Sequence, residues 1–260
     1  MAQLPAYVIN LDRRPDRLQA IMANLERIGV TAERIAAIDG ERLDDRRQAP
    51  ATPLSPSERA CVLSHCEALR RLLATSHPAA LVLEDDAEIA ADTAALLEAT
   101  DWWPAGTRLV KLDTMRDKPR LMGRHRGATP NGRALRALVI GNPGAAGYLI
   151  DRDAAAAVID ACAAQDLQID LALFDLRVSG TAKRLRPVQV LPALVRQRGS
   201  ASDIDQGRRT ARPGGLRGRL GRLGRGPRKL PHRVCVLGLR MVGRVRRHRL
   251  HYVDRLADGA

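Results

Sequence analysis

Aromatic residues are scarce in this chain, with one Phe, two Trp and three Tyr among 260 residues. Residues 206–260 contain a single one, Tyr252. That stretch therefore lacks the successive rings on which single-stranded bases stack. Cysteine is sparse as well. Cys61, Cys66, Cys162 and Cys235 form neither a CxxC pair nor a zinc-type cluster, so neither a disulfide framework nor a zinc module is expected, and reduced cytosolic thiols are the simplest account. No apolar run approaches the roughly 20 residues that cross a bilayer. At the N-terminus no charged region leads into an apolar core, because Asp12, Arg13 and Arg14 interrupt it early. A secretory leader is thus not expected. Acid is nearly missing from the end of the chain, where residues 206–260 carry 16 Lys and Arg against two Asp. Residues 1–205 carry 27 basic and 27 acidic side chains. The whole net charge of +14 sits in the tail, and overall basicity says nothing about the main domain. A separate cationic tail expects an anionic partner, whether a membrane surface, an acidic lipid or sugar, or nucleic acid.

What is present is enough for a core. Hydrophobic residues make up 45% of the chain, consistent with one domain of about 200 residues plus an appendage. Ala6 to Leu11 reads as a first strand. Pro15 suits the first turn of a helix, Leu18, Ile21, Met22, Leu25 and Ile28 recur at helical spacing, and Gly29 ends it. Arg34 to Ile38 reads as a second strand, and Ser55-Pro56-Ser57-Glu58 as a capped helix start running to about Thr75. Strands are expected at Ala80–Leu83, Leu109–Leu112, Arg136–Ile140 and Lys183–Arg186, and helices near Asp92–Ala99, Asp153–Ala164 and Asp170–Val178. Asp113 to Asn131 shows no period and reads as a long basic loop. The alternation predicts a layered α/β sheet over residues 1–205. Residues 206–231 read as a Gly/Arg/Pro-rich linker. Residues 232–260 read as a basic tail with an imperfect amphipathic helix over Val234 to Leu256.

The most pointed feature is Ala80-Leu81-Val82-Leu83-Glu84-Asp85-Asp86, four apolar residues running into three carboxylates. A short apolar run is a buried strand of a mostly parallel sheet. Ligands of open α/β sheets bind outside the carboxyl ends of strands. Acids there can hold Mg²⁺ or Mn²⁺ against substrate phosphates. The competing reading is a solvated acidic turn that caps a helix. Cys61 shares a helical stripe with Ala68 and Leu72 and reads as core filler; His65, on the same stripe, reads as a hydrogen-bonded core residue as readily as a functional one.

Several pieces occur together in a characteristic order. They are Tyr7-Val8-Ile9-Asn10-Leu11-Asp12-Arg13-Arg14-Pro15-Asp16-Arg17, then Ala37-Ile38-Asp39-Gly40, then Leu54 to His65, then Leu83-Glu84-Asp85-Asp86, and later Gly144 to Ile150 and Ile169-Asp170. In this order, over about residues 5–205, the chain resembles glycosyltransferase family 25. That group includes bacterial lipooligosaccharide galactosyltransferases and, more distantly, collagen galactosyltransferases. Ala60 stands where the family usually has glycine, and Ser57 where it often has another.

The resemblance implies a GT-A-like, Rossmann-type mixed sheet flanked by helices, a UDP-sugar donor and Mn²⁺ or Mg²⁺. Asp86, with Glu84, would hold the metal. Asn10, Asp12, Arg13, Arg17, Glu84, Asp85, His65 and Tyr148 would border or bind the donor, although Tyr148 reads equally as core. Asp170 is the candidate base for an inverting transfer, with Asp175 and Asp113 behind it, against a reading as a helix cap. The expected activity is transfer of a hexose, galactose first, to a lipooligosaccharide or other surface glycan. The expected place is the cytoplasmic face of a bacterial inner membrane, with the tail on the anionic leaflet. The rivals are a nucleic-acid-binding protein acting through its tail and a family member that binds without catalysis.

Overall fold

Two parallel strand pairings place the acidic run. The computed structural model describes residues 3–43, 54–114, 118–164, 167–198 and 245–254. In chain order these form β1 (Ala6–Asn10), α1 (Pro15–Arg27), β2 (Ala32–Ala36), α2 (Pro56–Leu73), β3 (Ala79–Glu84) and β4 (Ala87–Ile89). A 3₁₀ helix at Ala91–Leu97 is followed by β5 (Leu109–Lys111), β6 (Asp113–Thr114), β7 (Lys118–Ala128), β8 (Ala134–Leu138) and β9 (Gly147–Asp151). Then come α3 (Arg152–Ala164), α4 (Ile169–Phe174), α5 (Gly180–Leu185), β10 (Val188–Leu191), β11 (Val195–Gln197) and β12 (Arg246–Leu250). Nine strands form one mixed sheet in the order β12-β7-β8-β10-β5-β9-β3-β1-β2, and β4-β11-β6 form a small second sheet. β1 runs parallel to both β2 and β3, with Ile9 opposite Glu84.

Both faces of the large sheet are covered. The period of two along β1 and β3 sends Tyr7, Ile9, Ala80 and Val82 to one face, where Val62, Leu69 and Leu72 of α2 and Val158 of α3 pack on them. It sends Ala6, Val8, Leu81 and Leu83 to the other, against Ile21 and Leu25 of α1 and Leu96 of the 3₁₀ helix. Burial on both faces is why β3 reads as a continuous apolar run. The helix starts are as local chemistry dictates. Ser55 Oγ accepts from the Glu58 N–H and the Glu58 carboxylate accepts from the Ser55 N–H, a complete capping box on α2. Gly29 closes α1 with φ +73°, a left-handed turn that glycine adopts without steric cost. The expected α/β sheet flanked by helices is the fold observed.

Three expectations are corrected. The supposed loop after Asp113 contains the longest described strand, β7. Its pairing with β8 shifts register between Met122 and His125 and again before Gly127, which destroys the alternation that would reveal a strand. The strand expected at Lys183–Arg186 is α5, capped by Ser179, whose Oγ accepts the Ala182 N–H at 2.9 Å; the strand follows as the fully buried β10. The described part of the expected tail helix is β12, antiparallel to β7. The open edge of β7 offers backbone partners to Arg246–Leu250. The linker 206–231, Cys235 and the rest of the tail lie outside the described residues.

The C-terminal segment is locked in by Arg133, whose side chain is fully buried. Its Nε and Nη2 reach the two Asp92 oxygens at 2.6 Å each. Nη1 reaches the carbonyls of Pro192 and Ala193, and Nη2 the carbonyl of Val253 at 2.7 Å. All five guanidinium donors are used. Residues 245–254 thus belong to the domain, whose fold does not stop near Asp205. Arg133→Met would strand the Asp92 carboxylate and three carbonyls in the interior. Urea denaturation is expected to show a loss of about 3–5 kcal/mol, part of which Asp92→Leu on the same background restores.

Candidate active site

The cleft lies where the carboxyl ends of β1 and β3 meet the first turns of α2. It encloses roughly 750 Å³, open mouth included, between Leu11, Arg13, Arg17, Asp39, Gly40, Ser57, Ala60, Cys61, Ser64, His65, Glu84, Asp85, Asp86 and Gln197. The turn at Asp39-Gly40 rests directly on α2. A Cβ on Gly40 would lie 2.6 Å from Ser57 Cα, so only glycine permits this approach. Ser64 Oγ accepts the Ile38 N–H at 2.9 Å and donates to the Ala60 carbonyl, pinning the same turn. Ala60, at the family's glycine position, lines the cleft and is buried.

Each carboxylate of the triplet has a different environment. Glu84, the last residue of β3, meets His65 Nε2 at 3.2 Å. Asp85 receives the Asn10 side-chain amide at 2.7 Å and Arg17 Nη1 at 3.3 Å. Burial raises the Asp85 pKa while Asn10 and Arg17 oppose the rise. Asp86 accepts Gln197 Nε2 on Oδ2 at 3.0 Å, but its buried Oδ1 has no partner among the described residues. Burial first, then the charge of Glu84 and more weakly that of Asp85, push the Asp86 pKa up to about 7. An orphaned carboxylate oxygen among further acids is the environment that a hard divalent cation relieves. Glu84 and Asp86 are suited to hold one. A second donor set overlaps the first: Cys61 Sγ, a His65 ring nitrogen and a Glu84 oxygen lie within 4.8 Å of one another.

Of the residues expected here, Arg13, Arg17, His65, Glu84, Asp85 and Asp86 all line the cleft. Asn10 sits behind it. Buried, it donates to Asp85 and to the Arg14 carbonyl and accepts from Arg34; it orients Asp85 and is not itself open to a ligand. Asp12 pairs with Arg34 at the surface, Arg13 with Asp39 at 3.1 Å. Tyr148 is wholly buried, its hydroxyl 3.0 Å from His65 Nδ1 and its ring edge-on to Phe174. Asp170 does not line the cleft; its carboxylate accepts the N–H groups of Gly144 and Leu171. Asp113 is buried against Lys111 at 2.5 Å, and Asp175 is buried in a pair with Arg177. Trp102 and Trp103 pack on the α1 side of the sheet and do not line the cleft.

Three participants are not assigned to the site by the sequence pattern. Gln197 reaches Asp86 because β11 pairs antiparallel with β4, Gln197 opposite Ala87. No local pattern marks it. Arg34 braces Asn10 and Asp12 from the neighbouring parallel strand. Cys61, read as core filler, is half-buried and faces the cleft. Its i, i+4 spacing from His65 was the available signal.

The sequence model of glycosyltransferase family 25 (LPS biosynthesis protein) matches residues 3–173. Two curated proteins described as glycosyltransferase 25 family members, from Aedes aegypti and Anopheles gambiae, are each 31% identical over 94 residues, 31% of this chain. The match spans only 16% of the length of those relatives. Among solved structures the chain is similar to a glycosyltransferase involved in glycosylation of the major capsid of PBCV-1, with TM-score 0.42 and 9% identity over 80% of this chain and 98% of that one. It is also similar to mannose-1-phosphate geranyltransferase from Thermus thermophilus, with TM-score 0.37 and 12% identity over 76% and 75% of the two chains.

The Asp86 environment has a thermodynamic signature. In metal-free protein the folded state keeps the Asp86 proton to higher pH than the unfolded chain does. Its contribution is complete below the unfolded carboxyl range and is lost as pH rises through about 7. Asp86→Asn is therefore expected to stabilise the metal-free protein near pH 8 by up to about 4 kcal/mol and to change little near pH 4. Denaturation midpoints across that window check this.

Proposed function

The chain belongs to glycosyltransferase family 25, and on that premise we propose that it transfers a hexose from a UDP-sugar to a surface glycan with the help of a divalent cation. The observation that carries this reading is the unpartnered Asp86 Oδ1, buried beside Glu84 in a cleft whose rim holds Arg13 and Arg17. Acids that can hold a cation, set beside arginines that can meet phosphate, suit a bound diphosphate. Mn²⁺ or Mg²⁺, held by Glu84 and Asp86, would neutralise charge building on the departing diphosphate. The protein's own part is positional. Asn10 and Arg17 fix Asp85, His65 fixes Glu84, and Gln197 fixes Asp86, so the charges are set before substrate arrives.

Galactose is the first candidate sugar and a lipooligosaccharide or other lipid-linked glycan the first candidate acceptor, both by analogy with the family. Transfer is read as inverting, and Asp170, which stands outside the lining of the cleft, is the base proposed to take the proton of an acceptor hydroxyl bound beyond that lining. The basic stretch from residue 206 would hold the enzyme on the anionic inner leaflet, where each Lys or Arg contributes about 1 kcal/mol within a Debye length of the surface. The stretch is bracketed by parts of the domain, since Val245 to Asp254 return to it. A truncation that tests membrane binding must therefore spare β12.

Calorimetric titration with UDP, GDP and ADP in the presence of Mn²⁺ tests the donor. UDP is expected to bind tightest and to lose most of its affinity in Asp86→Ala or with EDTA; a preference for GDP or ADP, or metal-independent binding, contradicts the reading. Asp170→Asn is expected to keep UDP affinity and lose at least about 100-fold in transfer rate. Transfer near the wild-type rate would make Asp170 a residue that tethers Gly144 to α4.

A further inference from the structure

We propose that Cys61, His65 and Glu84 form a binding site for a zinc-class divalent cation, with its open coordination position facing the cleft. The donors are a thiol, an imidazole and a carboxylate, the mixed set that a borderline-soft ion prefers and that Mg²⁺ avoids. Their ligand atoms already lie within 4.8 Å of one another, and His65 and Glu84 are 3.2 Å apart. Bonds of about 2.0–2.3 Å to a tetrahedral ion need neighbouring ligand atoms about 3.3–3.8 Å apart, so only a small movement of Cys61 is required. The donors stand on rigid elements. Cys61 and His65 share one face of α2, one turn apart, and Glu84 ends β3.

The support behind His65 suits a metal ligand. Nδ1 is 3.0 Å from the Tyr148 hydroxyl, which is buried and can either donate or accept. A cation on Nε2 leaves Nδ1–H to donate to the Tyr148 hydroxyl, which holds the ring in the orientation a ligand needs. The Cys61 thiol gives its proton to solvent as the metal–sulfur bond forms. All three ligands line the cleft, which leaves the fourth position to water or a substrate oxygen.

Glu84 belongs to both donor sets. A zinc-class ion on Cys61, His65 and Glu84 therefore withdraws a ligand from the oxygen site at Asp86. This consequence rests on the reading in which Glu84 and Asp86 hold the hard cation. Zinc would then act as an antagonist of manganese in the same cleft.

Cobalt(II) titration of the full chain tests the site without reference to activity. Wild-type protein is expected to give intense tetrahedral ligand-field bands and a thiolate charge-transfer band, both abolished by one equivalent of Zn²⁺. Cys61→Ser should lose the charge-transfer band while circular dichroism shows an intact fold. Tyr148→Phe should keep the band and bind Zn²⁺ about 10–100-fold more weakly. Weak octahedral bands in the wild type, or a charge-transfer band that survives Cys61→Ser, would overturn the proposal and leave the UDP and Mn²⁺ titrations standing. Electron paramagnetic resonance of bound Mn²⁺ tests the antagonism separately. Release of Mn²⁺ by Zn²⁺ supports it, and Mn²⁺ that stays bound beside Zn²⁺ overturns it.

Discussion

Three carboxylates at the end of one buried strand are the constraint around which this domain is arranged. β3 ends in Glu84, and the turn into β4 adds Asp85 and Asp86 before the chain can leave the sheet. Their charges cannot disperse into solvent, because Asp86 is buried and Asp85 nearly so. Each is met by a group from a different part of the chain. Glu84 meets His65 of α2, Asp85 meets Asn10 of β1 and Arg17 of α1, and Asp86 meets Gln197 of β11. Among the described residues the compensation is incomplete, and the unmet remainder is Asp86 Oδ1. Buried polar groups left unsatisfied are costly and uncommon in folded proteins. Retaining one inside a cleft costs stability, and the proposed cation would recover that cost.

The same logic explains why distant segments are needed. The small sheet β4-β11-β6 carries Gln197 to Asp86. β11 is fixed from outside by Glu88, which pairs with Arg196, and by Tyr252, over whose ring the Arg196 guanidinium lies at 4.7 Å. Tyr252 is fixed in turn by the strand pairing of β12 and by the Arg133 bond to Val253. A chain of contacts therefore runs from the C-terminal segment to the acidic turn. Residues 245–254, within the stretch distinct in composition, support the strand that carries Gln197 to the cleft.

Much of the fold was legible in residue order alone. The apolar run of β3, the capping box of α2, the Pro15 and Gly29 limits of α1 and the α/β alternation are local patterns, and local patterns survive in the sequence. The acidic triplet and the Arg13 and Arg17 pair also pointed to the cleft end of the sheet. β7 was missed because its bulges scramble the period of two, and α5 because Lys183 to Arg186 carries no period. β12 was missed because its partner edge is more than a hundred residues away, and only that edge makes Arg246–Leu250 a strand.

The sequence by itself determined the family, the layered sheet and the position of charge along the chain, since each depends on residue order or on neighbours within a turn or two. Tertiary structure alone decided which acid keeps an unpartnered oxygen, that Asn10 serves Asp85 instead of facing a ligand, that Cys61 looks into the cleft, and that Tyr148 stands behind His65. The hydrogen-bonded partners among them are brought from 75 to 111 residues away. Strand register and helix packing set such distances, and a linear pattern does not record them.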